Sequence, residues 1–146
     1  MKYIEAPNNH TSNEKSLFVA GWISNCPNWQ EEFISYFKDK TITIFNPRRK
    51  NFDINNKNLE LEQITWEHNH LEKADIISFW FPKETLCPIV LYELWKYIKS
   101  DKQIFIWVDS EYQRKSDVEI QTKLVNPDIE IVYSIKDLAE QILKTL

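Results

Sequence analysis

Residues 64–82 read ITWEHNHLEKADIISFWFP, and a change of rhythm inside them decides the fold. Up to Lys73 the pattern is helical: Ile64, Glu67 and Leu71 fall at i, i+3 and i+7 and so share one helix face. From Ala74 that rhythm stops. ADIISFWF (74–81) is an apolar run closed by Pro82, which suits a strand buried on both faces. The next segment, CPIVLYELWKYIKS (87–100), returns to helical spacing, with Pro88 near its first turn, where the missing N–H is not needed. A strand buried on both faces needs cover on both sides, and flanking helices supply it.

The same alternation extends outward. SLFVAG (16–21) and the β-branched TITIF (41–45) read as strands, joined by the helical NWQEEFISYFKD (28–39), whose Trp29, Phe33 and Phe37 fall at i, i+4 and i+8. NPRRKNFDINNKN (46–58) is a polar loop. After the central unit come a strand KQIFIWV (102–108), a loop DSEYQRKSD, a short helix VEIQTKLV, a strand IEIVY (129–133) and a last helix IKDLAEQILKTL. Strands and helices alternating in this way specify a parallel sheet covered on both faces. The expectation is an α/β, doubly wound, flavodoxin-like (Rossmann-like) sheet of five parallel strands in the order 2-1-3-4-5. Residues 1–15 are read as a polar lead-in and 16–146 as a single α/β domain. In such sheets a ligand crevice opens beyond the carboxyl ends of the strands, where the strand order reverses. Here that places Ala20-Gly21-Trp22 and the stretch from Phe81 to Leu86 at the crevice.

Composition narrows the function. The chain has 146 residues, a net charge of −4 and acids and bases mixed throughout, so it carries no basic footprint for polymeric nucleic acid. No apolar run approaches the ~20 residues of a membrane-spanning helix. The polar start, MKYIEAPNNHTSNEKS, lacks a secretion signal's apolar core, and a cytoplasmic protein is expected. Cys26 and Cys87 form no CxxC pair and read as reduced thiols. His68 and His70, two apart on a helix, point to different sides and make poor joint ligands, so neither a metal nor a cofactor is expected. Gly21 is the single glycine among six tryptophans. One glycine cannot build a GxGxxG fingerprint or a phosphate-binding P-loop. A lone glycine also marks a place of close backbone approach or positive φ.

Two acids stand out. Glu67 interrupts the apolar face of its helix. Glu93 does the same among Val90, Leu94 and Tyr97 in the next helix, about two turns from the crevice. A charge on a buried face must be paired, protonated or placed in a cavity. Asp75, between a helix and a strand, reads as turn chemistry. Arg48 and Arg49 follow a strand end and could be solvated or could meet a phosphate or pocket rim. Trp80 and Phe81 end the crevice strand, where aromatic rings can stack on flat bases.

These segments together resemble the nucleoside 2-deoxyribosyltransferase family and its nucleotide N-glycosidase relatives, over about residues 16–125. LFVAGWIS resembles the family's first strand and turn, NPRR the segment after the second strand, WEHNHLEKADIISFWFP and LYELWKY the acid-bearing stretches, and RKSDVEIQ the segment that closes the sugar site. The resemblance implies exchange of the nucleobase of 2'-deoxynucleosides through a covalent deoxyribosyl-glutamate. It implies Glu93 as nucleophile and Glu67 as the acid that contacts and protonates the base. It implies a substrate site drawn from Gly21, Trp22, Arg48, Arg49, Trp80, Phe81, Thr85, Cys87 and Asp117. Cys87 stands where the family commonly has a sugar-binding Asp. Asp117 falls near a residue often supplied by a neighbouring subunit, so a homo-oligomer is expected. The alternatives are a hydrolase of nucleoside 5'-monophosphates, with Arg48 or Arg49 on the phosphate, and a non-catalytic nucleotide-binding module.

Overall fold

The computed structural model describes residues 1–9, 13–50 and 56–146. Six parallel strands form one sheet: β1 (Lys2–Glu5), β2 (Ser16–Gly21), β3 (Thr43–Asn46), β4 (Ile76–Phe81), β5 (Gln103–Val108) and β6 (Ile131–Val132). Their order is β1-β3-β2-β4-β5-β6. From β2 onward this is the 2-1-3-4-5 order expected from the sequence. The sixth strand comes from the segment read as a polar lead-in. Lys2–Glu5 pairs in parallel with Thr43–Asn46 and extends the sheet at its edge. KYIE escaped sequence reading because an edge strand buries little, and Lys2 and Tyr3 remain exposed. Part of the expected loop at 46–58 lies outside the described residues.

Among the described residues five helices cover the sheet: α1 (Trp29–Ser35), α2 (Lys57–Lys73), α3 (Pro88–Tyr97), α4 (Lys115–Val125) and α5 (Ile135–Leu143). Strand side chains alternate between faces, and two cores follow. Phe18, Ala20, Ile77, Phe79, Phe81 and Ile106 meet residues of α2, α3 and α4 on one face. Leu17, Val19, Ile44, Ile76 and Trp80 meet α1 and α5 on the other. The connection from β2 through α1 runs on one face and that from β3 through α2 on the other. The chain therefore reverses direction across the sheet between β2 and β4, and their carboxyl ends, Gly21 and Phe81, flank the switch point. Asp75 is read from the sequence as turn chemistry, but its carboxylate makes a long-range tie instead: it accepts from the Ser16 amide at 2.8 Å and the Ser16 hydroxyl at 2.7 Å, joining the start of β4 to β2.

The α2 stripe differs from the expected one. Ile64 is 57% exposed, and the buried face is carried by Trp66, His70 and Leu71. Trp66 stacks on His70 with ring centroids 4.0 Å apart, and these two large rings rotate the helix so that they, rather than Ile64, meet the sheet. Glu67 is left on the flank of the helix, half-buried. His68 is exposed and His70 buried, as their two-residue spacing requires.

Candidate active site

Glu67 and Glu93 come together beside the switch point, each held by its own helix on the same face of the sheet. Burial pushes the Glu93 carboxyl up to about 8, and the nearby Glu67 charge adds to the rise while Lys96 opposes it. Burial also raises Glu67, opposed by a hydrogen bond from Gln63 and by the charge of Arg49. Two carboxyls withdrawn from water and close to one another cannot both ionise cheaply, so the pair holds on to a proton. The sequence placed both acids here; the structure shows that they differ. Gln63 Nε2 donates to Glu67 Oε1 at 2.7 Å, whereas among the described residues no donor reaches the Glu93 carboxyl.

Arg49 links this pair to the strand ends. Its guanidinium pairs with Glu62 at 2.7 Å and is almost fully buried. Arg48 points the other way and clamps the β2–α1 loop. It donates to the Pro27 carbonyl at 2.9 Å, to Gln30 Oε1 at 3.1 Å and to the Cys26 carbonyl at 3.4 Å. These acceptors are all neutral, so among the described residues the Arg48 guanidinium is fixed in place by hydrogen bonds and not by an ion pair. Both arginines line a cleft of about 970 Å³ with Tyr3, Glu5, Asn28 and Asn46. The glutamates are not among its lining residues.

The remaining candidates fall out by strand and helix geometry. Gly21 does mark a close approach, but of a side chain: a Cβ there would lie 2.5 Å from Cζ2 of Trp29, and the residue has no positive φ. Trp22 is half-buried against the core beneath α2 and α3, and its carbonyl accepts from the Trp29 indole at 3.2 Å. Trp80 and Phe81 cannot both face a pocket, because neighbours in a strand point to opposite faces. Trp80 turns away from the glutamates and packs between Trp29 at 4.7 Å and Trp107 at 4.9 Å. Phe81 turns toward them but is wholly buried against Tyr112, a floor beneath the site rather than a stacking surface. Cys87 is also wholly buried. It caps α3 in the left-handed conformation, and burial pushes its thiol up to about 12, so it cannot take the place of a sugar-binding Asp. Thr85 is half-buried, and its carbonyl accepts the Cys87 thiol at 3.4 Å. Asp117 is exposed on α4 and paired with Arg114 at 3.1 Å.

Three contributors were missed by sequence reading. Gln63 lies four residues before Glu67, a spacing that could have flagged it. Trp29 was read only as part of a helix stripe, although it is what Gly21 accommodates. Tyr112 donates from its hydroxyl to the Leu86 carbonyl at 2.8 Å and pins the β4–α3 loop, a contact no local pattern announces.

A model of one protein family, described as nucleoside 2-deoxyribosyltransferase like, matches residues 14–112. The chain belongs to this nucleoside 2-deoxyribosyltransferase-like family. The matched span contains both glutamates and both arginines but stops short of Asp117. No curated protein matches the chain. Among solved structures, the crystal structure of a conserved protein from Enterococcus faecalis V583 is similar, with a TM-score of 0.62 and 16% identity over 90% of this chain and 99% of that one. At that identity the likeness is one of fold. A nucleoside 2-deoxyribosyltransferase-like protein with an α/β flavodoxin-like fold is what the sequence led one to expect. Among the described residues, no helix is long and apolar enough to cross a membrane.

Proposed function

We propose that this protein is a nucleoside 2'-deoxyribosyltransferase that exchanges the nucleobase of 2'-deoxynucleosides through a glycosyl ester on Glu93. The observation that supports it is the pair of half-buried, mutually close carboxyls, Glu67 and Glu93, carried by consecutive helices beside the switch point. In the reaction the Glu93 carboxylate attacks the anomeric carbon, the C–N bond breaks, and the base leaves with a proton delivered by Glu67. A second base attacks the ester and releases Glu93. Retaining cleavage of glycosidic bonds needs this combination of one nucleophilic and one proton-donating group.

A second reading, hydrolysis of nucleoside 5'-monophosphates, has one observation in its favour. Arg48 presents a cation fixed by neutral acceptors near the strand ends, a suitable partner for a phosphate. The two readings part on acceptor dependence. A 2'-deoxynucleoside incubated with protein and a different free base should yield a new deoxynucleoside by chromatography, and Glu93→Ala should lower the rate by several powers of ten. Base released as fast without acceptor, or only from the 5'-monophosphate, would replace transfer with hydrolysis. Full activity in Glu93→Ala would remove both. Asp117, exposed on α4, belongs in this reading to the sugar site of a neighbouring copy, in a cytoplasmic homo-oligomer serving nucleotide salvage.

A further inference from the structure

The Gln63 amide is committed at both hydrogens. Nε2 donates to Glu67 Oε1 at 2.7 Å and to the Pro47 carbonyl at 2.7 Å. A backbone carbonyl only accepts, so the group facing Pro47 must be the NH2. Rotating the amide would set its oxygen against two acceptors at once, and the network therefore fixes which way it points. What Gln63 offers Glu67 is then always a donor. A donor favours a carboxylate and cannot receive a proton from a carboxylic acid on the same oxygen.

The other charged groups around the pair reinforce this asymmetry. Glu67 faces Arg49 from the loop after β3 and Glu93 from α3. Glu93 faces Glu67 and, more weakly, Lys96. Lys96 is itself engaged with Glu72 at 2.6 Å and the Tyr97 hydroxyl at 2.9 Å.

We propose that Gln63, locked by the Pro47 carbonyl, is a positioning residue that keeps the negative charge on Glu67 and the pair's proton on Glu93 in the resting site. Its part in catalysis rests on the function proposed above; the resting distribution of charge does not. The nucleophile is then stored in its protonated form. Before attack, the Glu93 proton passes to the Oε2 oxygen of Glu67, the oxygen that Gln63 does not hold. Glu93, now ionised, forms the C–O bond to the anomeric carbon. The same proton goes from Glu67 to the departing base nitrogen as the C–N bond breaks. One proton and one electron pair are accounted for, and no outside acid is needed.

Carbon-13 NMR of glutamate-labelled protein, with the two signals assigned through Glu67→Gln and Glu93→Gln, tests this directly. In the wild type, Glu67 should titrate at lower pH than Glu93. In Gln63→Met, which keeps the length and removes the donors, the Glu67 midpoint should rise by about one pH unit. The acid limb of the pH–rate profile for base exchange should move by a similar amount. A wild-type Glu67 midpoint above that of Glu93 overturns the proposal, even if Gln63→Met does not fold. So does a Glu67 midpoint unmoved in a folded Gln63→Met. The expected titration order without base release from any deoxynucleoside or 5'-monophosphate would support the charge assignment and overturn the enzymatic reading instead.

Discussion

Glu93 carries a carboxyl partly withdrawn from water, and its protonation bears on stability. Its carboxyl lies at about 8 in the folded protein against an ordinary value of 4.5. A raised folded value means that the native state binds the proton more tightly than the unfolded chain does. The resulting stabilisation is fully present below about pH 4.5 and is lost as the pH rises through about 8. Glu93→Gln, neutral at every pH, escapes that loss. Urea unfolding should show it gaining on the wild type from about pH 4.5 to 8 and levelling above, by an amount on the order of a few kcal/mol. A difference between the two proteins that stays constant from pH 5 to pH 9 would show that Glu93 is not withheld from water. The same titration bears on rate: the proton stored on Glu93 is the one the departing base takes, so kcat/KM should fall as the pH rises through about 8.

At the level of elements, the junction of β2 with α1 is tightly fitted. Gly21 closes β2 opposite Trp80, and the Trp29 indole occupies the space a side chain would need. Trp29 cannot easily move, because it is packed among Phe33, Trp80 and Trp107. Gly21→Ala should therefore destabilise by roughly 1–3 kcal/mol through overpacking, read as a lower urea midpoint with an unchanged slope. An unchanged midpoint would mean that the tryptophan cluster yields without cost. The consequence for function is positional. Trp29 begins α1, its indole holds the Trp22 carbonyl, and Arg48 clamps the same loop from the other side. The strand end nearest the crevice is thus fixed by packing rather than by any glycine-rich turn.

For the whole molecule, the layer of helices that carries the glutamates is also its most apolar outer surface. Ile89, Tyr92 and Trp95 recur at i, i+3 and i+6 on α3 and are all exposed, Tyr92 at 72% and Trp95 at 61%. Ile120 and Leu124 on α4, and Leu61 and Ile64 on α2, are exposed as well. Exposed apolar side chains gathered on one layer of helices are the kind of surface a partner covers. The homo-oligomer proposed above would set this patch against itself across a two-fold contact, with Asp117 on α4 beside it. Light scattering should give a multiple of the 17.6 kDa chain mass, and the double substitution Tyr92→Lys with Trp95→Lys should reduce it to the monomer. A wild-type monomer at working concentration would leave Asp117 without a site to complete.

What the sequence determined by itself was whatever depends on periodicity and order. The alternation around ADIISFWF required a parallel, doubly wound sheet, and the order of strands put Glu67 and Glu93 on helices flanking one crevice. These follow from local backbone geometry and from the handedness of crossover connections, which hold whatever the neighbours are. The tertiary structure decided which way each of those residues faces and what it meets. Trp66 and His70, not Ile64, claimed the buried side of α2 because two stacked rings bury more than one aliphatic chain. Trp80 left the crevice because strand neighbours diverge. KYIE became a strand because β3 offered it an open edge. Gln63, Arg49 and the Pro47 carbonyl make the two glutamates unequal, and that inequality is a matter of a few ångströms between groups brought together only by folding.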